Sequence, residues 1–506
     1  MTKRVIKTIV FIVVVVLVLS AVSVTVISKS AGNNDWNNNA VINGIYNEPK
    51  DSIDVLFLGS SRVAVGFSPM YLWKTYGFTS YVLGTRKQQP SVSELLLTDT
   101  YERQHYKAVV YDVTQLFERN EYASDAEYYD ADQAELTESF QSIPFSLNKL
   151  NAAIELTKKS SLSIGDLMVP LYRFHDRWTD LSRKDFKTSA ELKNKRLLHG
   201  QEYMTITRPV TDFTGFIDKG AEKTAKTVSC DDSIIDMIKF CKEKGIALIL
   251  TRVPSFLAWT AEDSATIQKI ADEYGVPFID YMRADNWTSS GMDISSDFLD
   301  SSHFNCEGAE AVSALYGDYL KKNLSLPDKR QDSAYSQWND DIAEYDKLVS
   351  YADLTTITDP TEYFKSIDKS GNFVMVSVDG VDYNSLMTDE MQKALISLGL
   401  ARKNNDFVKD GAMGYIACID NGKVVKNRVV MTLEAKNTIS RANRHVIVRS
   451  HPGATDYTVF AVDNLEEVTY PLTGVHVLVY NKQLEKEIDS VTFTLDENGA
   501  WVAIRS

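Results

Sequence analysis

Three short stretches of this 506-residue chain carry side chains able to do chemistry together. Gly59-Ser60-Ser61 follows the apolar run Val55-Leu56-Phe57-Leu58, which sets two hydroxyls on a tight turn at the end of a short buried strand. In open α/β sheets ligands bind at the C-terminal ends of the strands, where a hydroxyl projects into a cleft beside backbone N–H groups. Gly84 closes a second such run, Ser80-Tyr81-Val82-Leu83. Far downstream, Asp300-Ser301-Ser302-His303 puts a carboxylate and an imidazole at i and i+3 in a turn before a helix, so that both can face one cleft. Acyl transfer through serine needs a nucleophile, a base to take its proton, a group that orients the base, and donors for the oxyanion. Taken singly, these stretches are an ordinary turn serine, strand-end glycine and helix-capping aspartate. In this order, on these elements, they make the set that acyl transfer requires.

The elements that must position them alternate regularly. Ser91 to Gln104 reads as a helix with Ser91 as N-cap, and Ala108-Val109-Val110-Tyr111 as a third strand ending at Asp112. Glu118 to about Thr227 interrupts the alternation as an insertion. Asp231-Asp232-Ser233 caps a helix that Gly245 ends, Ala247 to Leu250 is the next strand, and Ala261 to Tyr274 is a helix stopped by Gly275. Val276 to Ile279 follows as a strand, and Glu307 to Lys321 as a last helix. Alternating elements of this kind predict a mostly parallel sheet with helices on both faces.

The Gly-x-Ser block, the second glycine and the distal D-x-x-H together resemble the SGNH (GDSL-type) hydrolase family. The resemblance implies a flavodoxin-like three-layer α/β domain in which Ser61 is the nucleophile, His303 the base and Asp300 its orienter. Ser60 stands where the family's usual Asp does. The backbone N–H groups of Ser61 and Gly84 would form part of the oxyanion hole. The family's third block, G-x-N-D, departs here to Tyr111-Asp112-Val113-Thr114-Gln115 and has no Asn, so Thr114 or Gln115 would donate in its place. Divergent membrane-anchored members of the bacterial envelope, among them the teichoic acid D-alanylation protein and alginate-acetylation proteins, show similar degeneracy.

Composition bounds the rest. Hydrophobic residues at 44% and charged residues at 24% are ordinary for globular protein, and a net charge of −15 argues against nucleic acid. Four scattered cysteines give neither a disulfide framework nor a zinc site. The histidines show no metal spacing, and no phosphate-binding glycine loop is present, so no cofactor is expected. At the N-terminus Lys3, Arg4 and Lys7 precede an apolar run from Ile9 to Ile27, close to the ~20 residues that a membrane span needs. It reads as an uncleaved single-pass anchor with positive side inside, the alternative being a long signal peptide cut near Ala31, and either places the globular part outside the cytoplasm. Within the insertion, His175, Arg177 and Trp178 would bind substrate: Arg gripping an anionic group, Trp stacking on a sugar or acyl chain. The same residues also read as fastening the insertion to the core, with Arg177 paired to an acid such as Asp176.

The expected organisation is an anchor (1–30), an Asn-rich spacer (31–51), the SGNH-type domain (52–325, insertion about 118–227), a polar linker (326–358) and a C-terminal α+β domain (359–506). That last domain shows short β-runs at Phe373–Val378, Gly414–Ile419, Val475–Tyr480 and Val491–Leu495 around one helix, Thr388–Leu398. Its segments VSVDGVDYNSLMTDEMQKALISLGL, GAMGYIACIDNGKVV and VHVLVYNKQLEKEIDSVTF resemble the ILEI/PANDER-type domain, a family linked to secreted signalling and sugar-associated proteins. The resulting expectation is a serine O-acyltransferase or esterase on the outer face of the cell membrane. Its acceptor would be an envelope glycan or teichoic-acid-like polymer, and a membrane-bound O-acyltransferase would be its acyl-donating partner. The alternative is a non-catalytic envelope glycan-binding protein with a degenerate site. The intact Ser/Asp/His set favours the enzyme, and the missing third-block Asn favours the binder.

Overall fold

The computed structural model describes residues 2–26, 38–179, 181, 197–205, 207, 231–255, 259–379, 383–403, 406–432, 435–441, 444–451, 457–462, 465–470, 473–482 and 486–505. The chain forms two compact units, Met1–Tyr345 and Asp346–Ser506.

The first unit is built on β1 (Val55–Gly59), β2 (Ser80–Gly84), β3 (Ala108–Asp112), β4 (Ala247–Arg252) and β5 (Phe278–Asp280). They join in the order β2-β1-β3-β4-β5, and every pairing is parallel. Strands β1, β2 and β3 are buried at every position. A strand covered on both faces has no polar side, which is why these segments are continuous apolar runs.

Two helices precede the sheet, α1 (Thr2–Val26) and α2 (Asn38–Asn47). After β1 come α3 (Ser61–Gly66) and α4 (Pro69–Tyr76), and after β2 comes α5 (Pro90–Tyr101). The insertion that follows β3 contains α6 (Asp125–Ala131), α7 (Gln133–Ser142), α8 (Leu147–Thr157), α9 (Ile164–Met168) and α10 (Pro170–Phe174), then a 3₁₀ turn, His175–Thr179. The alternation resumes with α11 (Ser233–Lys244) before β4 and α12 (Ala261–Tyr274) before β5, and α13 (Ala284–Ser290) and α14 (Cys306–Asn323) follow. Helix α12 starts on a capping box between Thr260 and Asp263 and ends on Gly275 in the left-handed region, φ 61°.

The pleat sorts the core. Val55, Phe57, Val82 and Val110 cluster with Val63, Val65, Leu72, Val312, Tyr316 and Leu320, so α3, α4 and α14 cover one face. Leu56, Leu58, Leu83 and Val109 form the equally buried alternate set. Helix α5, which packs on β1 and α11, covers that face. This is a flavodoxin-like α/β/α arrangement. The free edge of β2 is closed by residues 197–205: Val82 N–H donates to His199 O at 2.9 Å, and Glu202 N–H to Ala64 O at 2.8 Å.

The spacer expected over 31–51 is not one where it is described. Residues 38–47 form α2, whose Ala40, Val41, Ile42 and Ile45 are buried, and Tyr81 donates its hydroxyl to Val41 O at 2.7 Å. Those four apolar side chains supply a packing face that the surrounding asparagines conceal. The polar stretch over 326–358 holds a 21-residue helix, α15 (Ser336–Thr356). Within the first unit its Trp338 stacks on the His199 ring at 3.5 Å, and His199 Nδ1 pairs with Glu48 Oε1 at 2.8 Å. Helix α1 contains a segment, Arg4–Ser23, long and apolar enough to cross a membrane.

The second unit has a six-stranded antiparallel sheet: Asn372–Asp379 (β6), Gly414–Asp420 (β7), Lys423–Val430 (β8), Gly474–Asn481 (β13), Lys486–Leu495 (β14) and Trp501–Arg505 (β15), in the order β15-β14-β13-β6-β7-β8. A four-stranded antiparallel sheet runs through Ala435–Arg441 (β9), Arg444–His451 (β10), Tyr457–Val462 (β11) and Leu465–Tyr470 (β12). Phe373 and Met375 on one face of β6 pack with Phe460 and Val462, so the smaller sheet covers that face. This is the expected α+β domain, with the four-stranded sheet as an element the short β-runs did not announce.

One buried carboxyl in the first unit gives the fold a pH signature. Burial, with repulsion from Glu135, pushes the Glu138 carboxyl on α7 up to about 7 against the pull of Arg86 and Arg177, while Asn38 Nδ2 donates to it from α2 at 3.5 Å. A carboxyl whose folded pKa is raised binds its proton more tightly in the folded state. Its contribution therefore favours the fold below its ordinary value of 4.5 and is lost as pH rises toward about 7. Glu138→Gln should thus gain thermal stability relative to the parent between about pH 4.5 and about pH 8. Parallel melting curves that keep a constant offset across that range would contradict the assignment.

Candidate active site

The first turn of α3 is set by where it packs. Ser60, fully buried, is its N-cap, and Ser60 O accepts from the N–H groups of Val63 and Ala64 at 3.0 and 3.1 Å. The N–H groups of Ser61 and Arg62 precede the first possible intrahelical acceptors, so the opening turn carries free donor capacity and the positive end of the helix dipole. This turn lies directly on the end of β2. A Cβ at Gly84 would stand 2.6 Å from Ala64 N and 2.8 Å from Ser60 O. Only glycine lets helix and strand approach so closely.

Ser61 Oγ lies 2.8 Å from His303 Nε2, and His303 Nδ1 lies 2.9 Å from Asp300 Oδ2 and 3.0 Å from Oδ1. The turn that carries the last two is held by its own backbone. Ser302 N–H and His303 N–H donate to Asp300 Oδ1 at 2.7 and 3.0 Å, and Leu299 N–H to His303 O at 2.9 Å. Phe298 and Phe304 pair across the turn with ring centroids 5.0 Å apart and anchor it in the core. Asn305 then caps α14 by accepting from Gly308 N–H at 2.9 Å.

Burial raises the Asp300 pKa, but the bonds from His303 and the two backbone N–H groups outweigh it and hold the carboxyl below its ordinary range. An ionised carboxylate only accepts hydrogen bonds, so Nδ1 of His303 carries the proton and donates it. Nε2 is left as the acceptor for the Ser61 hydroxyl. The set is a hydroxyl, a neutral imidazole in the tautomer able to take its proton, and a carboxylate that fixes that tautomer.

The third strand does something other than expected. Asp112, at the end of β3, is buried and accepts from Thr114 Oγ1 at 2.8 Å, Val253 N–H at 3.3 Å and Arg62 Nε at 3.5 Å. The Thr114 hydroxyl proton is therefore directed at Asp112 and does not serve an oxyanion. Gln115 bonds to Glu118, whose carboxyl is pushed up by burial. Arg62 was not anticipated from sequence. Its position beside Ser61, with an aspartate ending a neighbouring strand, was the available signal. It ties the nucleophile's turn to β3.

His175 and Trp178 are exposed on the insertion, and Arg177 beside them is half-buried. His175 Nδ1 bonds its own chain at Tyr172 O, 3.0 Å away. Trp178 is 52% exposed. Arg177 Nη1 donates to Val26 O at the C-terminal end of α1, where unsatisfied carbonyls and the negative end of the dipole favour a cation. Arg177 thus has a structural partner in α1. Insertion residues 182–196 and 208–227 lie outside the described set.

No family model and no curated protein matches the chain. Among solved structures it is similar to a GDSL-like lipase from Bacteroides thetaiotaomicron at 12% identity, covering 56% of this chain and 100% of that one with a TM-score of 0.26. It is also similar to a candidate acylhydrolase from Bacteroides fragilis at 13% identity, covering 56% and 94% with a TM-score of 0.26. A candidate lipolytic protein of the G-D-S-L family from Desulfitobacterium hafniense shows 13% identity, 53% and 99% coverage and a TM-score of 0.24.

Gly84→Ala should push the first turn of α3 off β2 and with it Ser61 away from His303. Such overpacking costs about 1–3 kcal/mol, and labelling of Ser61 by a fluorophosphonate should slow along with the drop in melting temperature. Unchanged stability and labelling rate would show that the close approach is not needed.

Proposed function

We propose that this chain is a membrane-anchored, extracytoplasmic serine O-acyltransferase or esterase acting on a cell-envelope glycan. The observation that supports it is the unbroken chain of contacts from Ser61 Oγ to His303 Nε2 and from His303 Nδ1 to Asp300. In this reading Ser61 Oγ attacks the carbonyl carbon of an acyl donor while its proton passes to His303 Nε2. The negative charge that forms on the carbonyl oxygen would be met by the backbone N–H groups of Ser61 at the start of α3 and of Gly84 at the end of β2. Collapse of the intermediate breaks the bond to the donor's alcohol, which leaves with the proton from His303. In the second half an acceptor hydroxyl gives its proton to Nε2 and attacks the acyl-serine, the bond to Ser61 Oγ breaks as that oxygen takes the proton back from His303, and the acceptor departs as the new ester. Asp300 stabilises the imidazolium each time it forms and stays ionised throughout.

Transfer is favoured over hydrolysis by the state of the third strand. In comparable sites one side-chain oxyanion donor is worth ~2.7–4 kcal/mol, and here Thr114 and Gln115 are both committed elsewhere. A centre missing that donor turns over small esters slowly with water, whereas an acceptor hydroxyl held in place recovers rate through proximity. In this proposal the outer-face orientation and the acyl-supplying membrane partner accompany the apolar helix α1. The C-terminal unit, with its ILEI/PANDER-like segments, would hold the glycan.

The full chain should hydrolyse p-nitrophenyl acetate slowly and release p-nitrophenol faster when envelope glycan is supplied, with acetyl appearing on the glycan. Ser61→Ala and His303→Ala should abolish both reactions, and Asp300→Asn should lower them by on the order of 10⁴-fold, since the imidazole loses its tautomer. Fast hydrolysis that no glycan accelerates or diverts would leave a plain esterase. Turnover that survives Ser61→Ala would remove the mechanism.

A further inference from the structure

Exposure along α1 changes abruptly at its far end. Of the large side chains from Val5 to Leu19, twelve are between 37% and 68% exposed, as befits a segment that meets lipid instead of protein. Ser23 and Val26 are buried. The burial comes from the insertion, because α10 and the 3₁₀ turn His175–Thr179 pack on α1, and Arg177 donates to Val26 O. The insertion thus grips the helix just where its 20-residue apolar segment, Arg4–Ser23, ends.

A helical segment of that length rises ~30 Å, the thickness of the hydrocarbon core. Val26 lies three residues farther on, about 4.5 Å along the axis and inside the headgroup layer. Whatever packs on Val26 must then lie at the level of the lipid headgroups. The insertion presents an unusual surface there. Phe145, Leu147, Ile164, Val169, Tyr172 and Trp178 are 75%, 72%, 39%, 44%, 61% and 52% exposed. They lie on or flank α8, α9, α10 and the 3₁₀ turn, which pack on one another in series, and the Tyr172 ring lies over Gly165 of α9. Apolar side chains exposed in continuous succession mark a surface that meets something. Tyr and Trp, with an apolar body and a polar tip, are the side chains enriched at the membrane–water interface.

We propose that this apolar face of the insertion is a membrane-surface pad that seats in the headgroup layer of the leaflet from which α1 emerges. It rests on the reading of α1 as a membrane span. The pad holds the first unit against the lipid surface at a second point beside the anchor, and the site then faces acyl donors and acceptors confined to that surface.

The test uses the full chain in phosphatidylcholine–phosphatidylglycerol nanodiscs, in a Cys230→Ser background, with an NBD fluorophore on Tyr172→Cys, Phe145→Cys or, as a control far along α14, Lys322→Cys. Both insertion probes should be blue-shifted and quenched several-fold more by a shallow doxyl-labelled lipid than the control probe. If the chain stays in the disc but the Tyr172 and Phe145 probes are quenched no more than the control, the pad is wrong and the anchor stands. If both probes are shielded from aqueous iodide and from doxyl lipid alike, the face is covered by protein and the proposal falls. A chain that elutes free of the discs overturns anchor and pad together.

Discussion

A single hydrogen bond, Ser61 Oγ to His303 Nε2 at 2.8 Å, joins residues 242 positions apart, and the first unit is arranged so that it can form. Its two ends are held by different means. Ser61 rides on the first turn of a six-residue helix, too short to be stable by itself. That turn stays in place through its packing on Gly84 and its burial among Val63, Val65 and Phe67. His303 sits on a turn locked by three backbone bonds and the Phe298–Phe304 pair, just ahead of the 18-residue helix α14. Because α14 packs on both α3 and α4, the helix that carries the nucleophile and the helix that follows the base are registered against each other on one face of the sheet.

Beneath this bond lies a buried charge pair. Arg62 and Asp112 face each other at 3.5 Å with almost no exposure. Removing one partner of such a pair typically costs about 3–5 kcal/mol, because the other charge is left buried and uncompensated. The pair binds the nucleophile's turn to the end of β3. It also explains the third strand's unusual chemistry: Asp112 draws Thr114, Val253 N–H and Arg62 toward itself, so donors near the strand end turn inward. The same aspartate therefore both braces the Ser61 turn and takes up the Thr114 hydroxyl proton.

Where local signals and tertiary demands coincide, the chain was readable. Short apolar runs placed β1 through β4, and Gly275 marked the end of α12. The Asp300-x-x-His303 spacing was legible because i, i+3 placement in a turn brings side chains together without help from elsewhere. The misses have physical causes. Helix α2 hides its apolar face among asparagines and is stabilised by Tyr81 and α7, contacts that no local window contains. The bond of Arg177 to the carbonyl of Val26, 151 residues away, is likewise one that no local window contains. Arg62 carried only a faint signal, its place beside Ser61, since a buried arginine is intelligible only once Asp112 is seen beside it.

The account stands most directly on which atom carries the acyl group. The full chain, mixed with p-nitrophenyl acetate, quenched in acid within the first turnovers and digested for peptide mass spectrometry, should show one acetyl group on the Ser61 hydroxyl. Ser60→Ala should keep that modification, because Ser60 is buried as the cap of α3, and His303→Ala should lose it. Acetyl found on another residue, or on the same peptide after Ser61→Ala, would contradict the assignment of Ser61, His303 and Asp300 as the acyl-transfer centre.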